Sequence, residues 1–159
     1  MLFLWTEHHR KLLDMSPVKQ SETWFEWMNL GALHYDLQQW QEAIPYLGCA
    51  FDLSCQQLCR HGYKMSEQEL KSTATQLTLS AIYLTNAFQH FGNRDKAWFI
   101  LAKALRVLHQ DEQRVNWQTG WAQECVQALV NQERHEAFFE RYLNLPFASS
   151  YLHMESHFH

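Results

Sequence analysis

Glycine and proline are scarce in this chain, five and three among 159 residues. Runs of β-branched residues alternating with polar ones are missing as well, so neither the turns nor the strands of a β-protein are encoded. No apolar run approaches the ~20 residues of a membrane-spanning helix. Lys and Arg are scattered without a basic cluster, and the formal net charge is −4. Nucleic-acid binders carry a basic footprint, and anionic membranes attract one, so neither partner is expected. The apolar start Met1-Leu2-Phe3-Leu4-Trp5 has no basic leader and is too short for a signal peptide, which predicts a cytoplasmic protein with reduced thiols. HExxH, GxSxG, GxGxxG and phosphate-loop patterns are all absent, as are the repeated Glu-x-x-His pairs of di-iron bundles. No enzyme is announced and no cofactor is implied.

What is present is a globular composition, 47% hydrophobic and 19% charged, with seven Trp. The length suits one domain spanning 1–159. Apolar residues recur at spacings of three and four, which predicts an all-α chain of six or seven helices. A short helix is expected in the N-terminal arm (1–20), broken at Ser16-Pro17. The next runs from about Glu22, capped by Ser21, to Leu37, and buries Trp24 or Trp27, Leu30, Ala32 or Leu33, and Tyr35. After a Gln38-Gln39 turn, another helix spans Trp40 to Arg60, with Pro45 tolerated in its second turn and Gly62 as a left-handed cap. Ser66 and Glu69 form a capping box that opens a long helix ending at Phe91 and Gly92-Asn93. Asn93 or Asp95 starts the next, Asp111 another that reaches Asn131, and Glu133–Leu143 is the last. The tail 147–159 carries no helical pattern.

Two stretches resemble tetratricopeptide repeats. The first, 24–57, carries Trp27, Leu30, Gly31, Ala43, Leu47 and Ala50 in the register of that family, with Tyr35, Trp40 and Phe51 between and beside them. The second, 78–111, carries Ala81, Leu84, Phe88, the turn Gly92-Asn93, then Ala97, Leu101 and Ala104. A poorer third copy covers 118–145, with Trp121, Cys125, Ala128 and Ala137. Trp27 and Ala81 are 54 residues apart, against about 34 in the family. The resemblance implies an array of antiparallel helix hairpins with extended helices, in which Gly31 and Ala43 allow close helix contact. It also implies an adaptor or chaperone-like module that holds a protein or peptide in a concave groove. Carried over onto this chain, that groove would be lined by Met28, Ala32, Tyr35 and Asp36 in the first unit and Ile82, Asn86, Gln89 and His90 in the second. No Lys or Arg pair offers a clamp for a terminal carboxylate.

Other residue groups admit both a functional and a plain reading. Cys55 and Cys59, with His61 beyond, could begin a zinc site, but Cys49 and Cys125 lack paired spacing, so packed free thiols are expected and no metal site. His153, Glu155, His157 and His159, like His8-His9, suit adventitious metal affinity better than a built site. Most of the Trp set is expected in the core, with one or two exposed members marking a binding surface. The alternatives to a peptide-binding module are a self-associating helical protein, a homodimer, and a helical metal-binding protein.

Overall fold

The computed structural model describes residues 3, 11, 14–109 and 120–130, with 61, 63 and 120–123 described by backbone only. All regular structure among these residues is helical. The helices are α1 (Pro17–Asp36), α2 (Trp40–His61), α3 (Glu67–His90), α4 (Arg94–His109) and α5 (Gly120–Val130), with a short 3-10 turn at Gly62–Lys64. Helix α3 is central and packs against α2, α4 and α5, while α1 lies chiefly on α2. No described helix is long and apolar enough to cross a membrane. The expected N-terminal helix before Ser16 is described only at Lys11 and Asp14, both helical; the cap at Asp111, the helix at Glu133–Leu143 and the tail fall on residues outside those described.

Local chemistry explains most helix ends. Ser66 Oγ accepts the Glu69 N–H at 3.2 Å and donates to the Glu69 carboxylate at 3.1 Å, so the capping pair forms. Asn93 Oδ1 accepts the Lys96 N–H at 3.1 Å and caps α4, after a turn in which Gly92 takes φ +89°. The polar turn between α1 and α2 places Gln38 at φ +59°.

Two ends differ from expectation. Helix α1 starts at Pro17, five residues before Glu22, because Ser16 rather than Ser21 is its cap, accepting the Lys19 N–H at 3.3 Å. Ser16-Pro17 does interrupt the helix as expected: Lys11 and Asp14 are helical, Met15 and Ser16 are not, and Pro17 is the first residue of the next helix, where a missing N–H and a preset φ are favourable. Gly62 is right-handed (φ −54°) and begins the 3-10 turn instead of forming a left-handed cap.

On α1 the buried stripe is Gln20, Trp24, Met28, Gly31 and Ala32, whereas Trp27, Leu30, Leu33 and Tyr35 are only half-buried. Residues 24 and 27 differ by about 60° around a helix, so periodicity alone does not choose between them. Contact with α2 makes the choice. Gly31 lies so close to Leu47 that an added Cβ would stand 2.6 Å from its Cδ2 and 2.8 Å from its Cγ. Ala43, Leu47, Ala50 and Phe51 of α2 are fully buried around that approach.

Helix α3 is buried continuously from Thr73 to Thr85. A helix apolar on one stripe would need water on its other side; this one has protein on every side. Its small hydroxyls are accommodated by bonding to their own backbone. Thr75 donates to the Lys71 carbonyl at 2.7 Å, Thr78 to that of Ala74 at 2.8 Å and Ser80 to that of Gln76 at 2.9 Å.

The Gly31–Leu47 approach sets a first test. Gly31→Leu should lower stability by roughly 1–3 kcal/mol through overpacking. Gly31→Ala should also destabilise, despite a helix-propensity gain of about 1 kcal/mol, because its Cβ meets Leu47 near the α2 backbone. Urea denaturation of the two variants measures both; an unchanged midpoint for Gly31→Leu would contradict the close approach.

Candidate functional site

A cleft of about 170 Å³ opens between α3, α4 and α5. Helix α3 contributes Ile82, Thr85 and Gln89, α4 contributes Ala97, Trp98 and Leu101, and α5 contributes Leu129 and Val130. The helical period explains the convergence. Residues 82, 85 and 89 share one face of α3, and 97, 98 and 101 share one side of α4. The walls are apolar, and two of them stand open to solvent: Trp98 is 69% exposed and Val130 55%. A large indole facing water beside an apolar cleft is unusual for a residue that could be buried elsewhere.

One polar group sits in this wall. Thr85 is 5% exposed, yet its hydroxyl has no hydrogen-bond partner. Its neighbours Thr75, Thr78 and Ser80 all bond to the carbonyl four residues earlier. A buried hydroxyl without a partner loses its hydration uncompensated, at a cost of about 1–3 kcal/mol.

The expected groove residues divide between core and surface. Met28, Ala32 and Ile82 lie inside the core and do not present an open face; Ile82 reaches the cleft only as its floor. Met28 and Ala32 are covered because α1 packs chiefly on α2, and Ile82 because α3 packs against α2, α4 and α5. Tyr35 and Asp36 are half-buried. Tyr35 belongs to an aromatic cluster, edge-on to Trp40 (centroids 5.1 Å apart) and to Tyr83 (4.8 Å). His90, exposed, stacks on Trp40 at 4.4 Å with planes 10° apart. Asn86 is half-buried and Gln89 exposed at the cleft. The structure therefore gathers Ile82 and Gln89 at the cleft, and Tyr35 and His90 at the aromatic cluster.

Sequence reasoning misses Trp98, Thr85, Leu129 and Val130 as site residues. Trp98 carries a signal: the buried positions Ala97, Ile100, Ala104, Val107 and Leu108 define the inner stripe of α4, and Trp98 and Phe99 fall off it. Thr85 carries none, since a threonine that back-bonds and one that does not are identical in sequence.

A second cleft, about 380 Å³, lies where the starts of α1 and α3 meet the end of α2. Its amides largely bind one another: Gln57 Nε2 donates to Gln20 Oε1 at 2.9 Å, and Gln20 Nε2 to the Met15 carbonyl at 3.0 Å.

The cysteines are free thiols. Burial raises Cys49 to about 11, with the Asp52 charge adding to it. Burial also raises Cys125 to about 11, although its hydrogen bonding with Thr78 and Thr75 pulls the other way. Cys55 is pushed up further by burial. These thiols are held neutral, which is unsuited to nucleophilic or metal-ligand chemistry. Among the described residues no three His, Cys, Asp or Glu side chains converge on a point that could hold a metal ion.

Comparison with known protein families, curated proteins and solved structures returned no match. What is established is the class: an all-helical protein with an apolar, indole-flanked cleft.

The stranded hydroxyl and the buried thiols can each be tested. Thr85→Val, which keeps the shape and removes the stranded hydroxyl, should leave stability unchanged or raise it by about 1 kcal/mol in urea denaturation. Thr78→Val, which breaks a satisfied bond, should bring no such gain. For the thiols, a water-soluble disulfide reagent at pH 8 should label exposed Cys59 rapidly and Cys55 and Cys125 only as the protein unfolds. Because the folded chain holds the Cys49 and Cys125 protons above their ordinary value of 9.0, their stabilisation is complete below about pH 9 and is lost as pH rises towards 11. The alkaline loss of stability should be shallower in Cys125→Ala.

Proposed function

We propose that this chain is a non-enzymatic protein-interaction module of tetratricopeptide-like build, an adaptor or chaperone-like protein that takes an apolar segment of another protein into the α3–α4–α5 cleft. The observation that carries the reading is the pairing in one cleft of an exposed indole, Trp98, with a buried unpartnered hydroxyl, Thr85. Binding clefts are mostly apolar with a few polar groups that orient the ligand, and a backbone N–H of a docked segment is the donor Thr85 lacks. Trp is also the side chain that most often dominates interface energetics. The hairpin geometry supports the repeat-like build: Gly31 against Leu47, Ala43 and Ala50 buried, and the Gly92-Asn93 turn between α3 and α4.

Self-association is the second reading. It draws on two further exposed aromatics among the described residues, Phe91 and Phe99.

Trp98→Ala tests both. An interface anchor of this kind is typically worth about 2 kcal/mol or more, close to thirtyfold in affinity. The variant should keep its helical circular dichroism and lose about thirtyfold affinity for the partner that co-purifies with wild type. Partner retention at wild-type affinity would remove the cleft as the binding site. A wild-type dimer by light scattering that becomes a monomer in Trp98→Ala would place a second copy there instead.

A further inference from the structure

Sharing no lining residue with that cleft, a second constructed feature lies at the middle of α2. The ring of Phe3 rests directly over Gly48, so that any Cβ at Gly48 would overlap the ring. Glycine is unfavourable inside a helix relative to alanine, and here its missing side chain is what makes room. The Phe3 ring also leans on Phe88 of α3, with centroids 6.4 Å apart and planes tilted by 40°. Its backbone is held at both ends. The Phe3 N–H donates to the Asp52 carboxylate, and the Cys49 thiol donates to the Phe3 carbonyl at 3.7 Å.

Asp52 is the decisive residue. It is 1% exposed, and the Lys103 ammonium of α4 stands 3.9 Å from its Oδ1. A carboxylate this deeply buried needs charge and hydrogen-bond compensation. The lysine supplies the charge; a hydrogen bond arrives from a residue 49 positions away in sequence. The floor (Gly48), the acceptor (Asp52), the thiol donor (Cys49) and the aromatic wall (Phe88) all belong to the helical body. Phe3 contributes an aromatic ring, one N–H and one carbonyl, none of which is particular to position 3.

We propose that this is a receptor for an aromatic residue of a polypeptide, with Phe3 as its resident occupant. The partner it fits is a protein segment bearing an aromatic side chain flanked by a free backbone N–H, which takes the place of Phe3. Vacating the site removes one hydrogen bond from Asp52, and an equivalent segment restores it. This makes the N-terminal segment a competitor in cis, and the apparent affinity for an outside segment is reduced by its high effective concentration.

The experiment uses the full chain and an acetylated, fluorescently labelled hexapeptide with the sequence of residues 1–6 (Met-Leu-Phe-Leu-Trp-Thr). Phe3→Ala protein should bind it at least tenfold more tightly than wild type, and should bind the same peptide with Ala in place of its Phe at least tenfold more weakly. Trp98→Ala should leave both results unchanged, so this site and the cleft fail or stand separately. Equal binding of the two peptides, or none to a Phe3→Ala protein that still melts cooperatively, overturns the proposal. Should Phe3→Ala be too unstable, the wild-type chain with 4-fluorophenylalanine at position 3 decides the matter. Saturating hexapeptide must move its fluorine resonance to the released position, for which Gly48→Ala is the reference; an unmoved resonance overturns the proposal. A concentration-dependent dimer lost in Phe3→Ala would show that the outside occupant is a second copy of this chain, which overturns the partner reading.

Discussion

A helix surrounded by protein on every side must satisfy its polar side chains from within, because no water reaches them. Helix α3 meets this constraint along a buried run from Thr73 to Thr85 by interleaving Leu, Ile and Ala with threonine and serine whose hydroxyls bond back to the preceding turn. Small side chains let α2, α4 and α5 approach closely, and back-bonding removes the penalty their oxygens would bring. The arrangement of the other helices depends on that solution. The close contact of α1 with α2 at Gly31 and Leu47 then completes the far side of the core.

Against this background the polar groups that are not satisfied inside their own helix stand out. Thr85 is stranded next to a cleft flanked by an exposed indole. Asp52 is compensated by Lys103 and by the backbone of Phe3, both outside α2. Each exception marks a place where the helical body turns its chemistry outward, to a cleft in one case and to a distant segment of chain in the other. The neutral, buried thiols are the opposite case: burial keeps them protonated and assigns them to packing.

Much of the secondary structure was legible in the sequence because its causes are local. The Ser66–Glu69 pair, the Gly92-Asn93 turn and the Gln38-Gln39 turn act within a few residues, and each appears where the residues say it should. Ser16-Pro17 was legible as a break; what was not legible is that Ser16 rather than Ser21 caps the helix that follows, because both serines offer a capping hydroxyl. Of the residues carried over to a groove, some are exposed and some are enclosed. Ile82 and Gln89 reach the cleft, whereas Met28 and Ala32 are enclosed.

The sequence by itself determined that the chain is helical, where most of its turns fall, and that Gly31 and Ala43 sit at a close helix contact, since periodicity, capping and side-chain size are properties of neighbouring residues. Tertiary structure decided which stripe of α1 turns inward, that α3 has no solvent face over most of its length, that Trp98 remains outside, and that Phe3 meets Gly48 and Asp52. Those outcomes depend on which helices touch, and a rotation of about 60° around a helix axis, invisible to a pattern of threes and fours, is enough to exchange a core residue for a surface one.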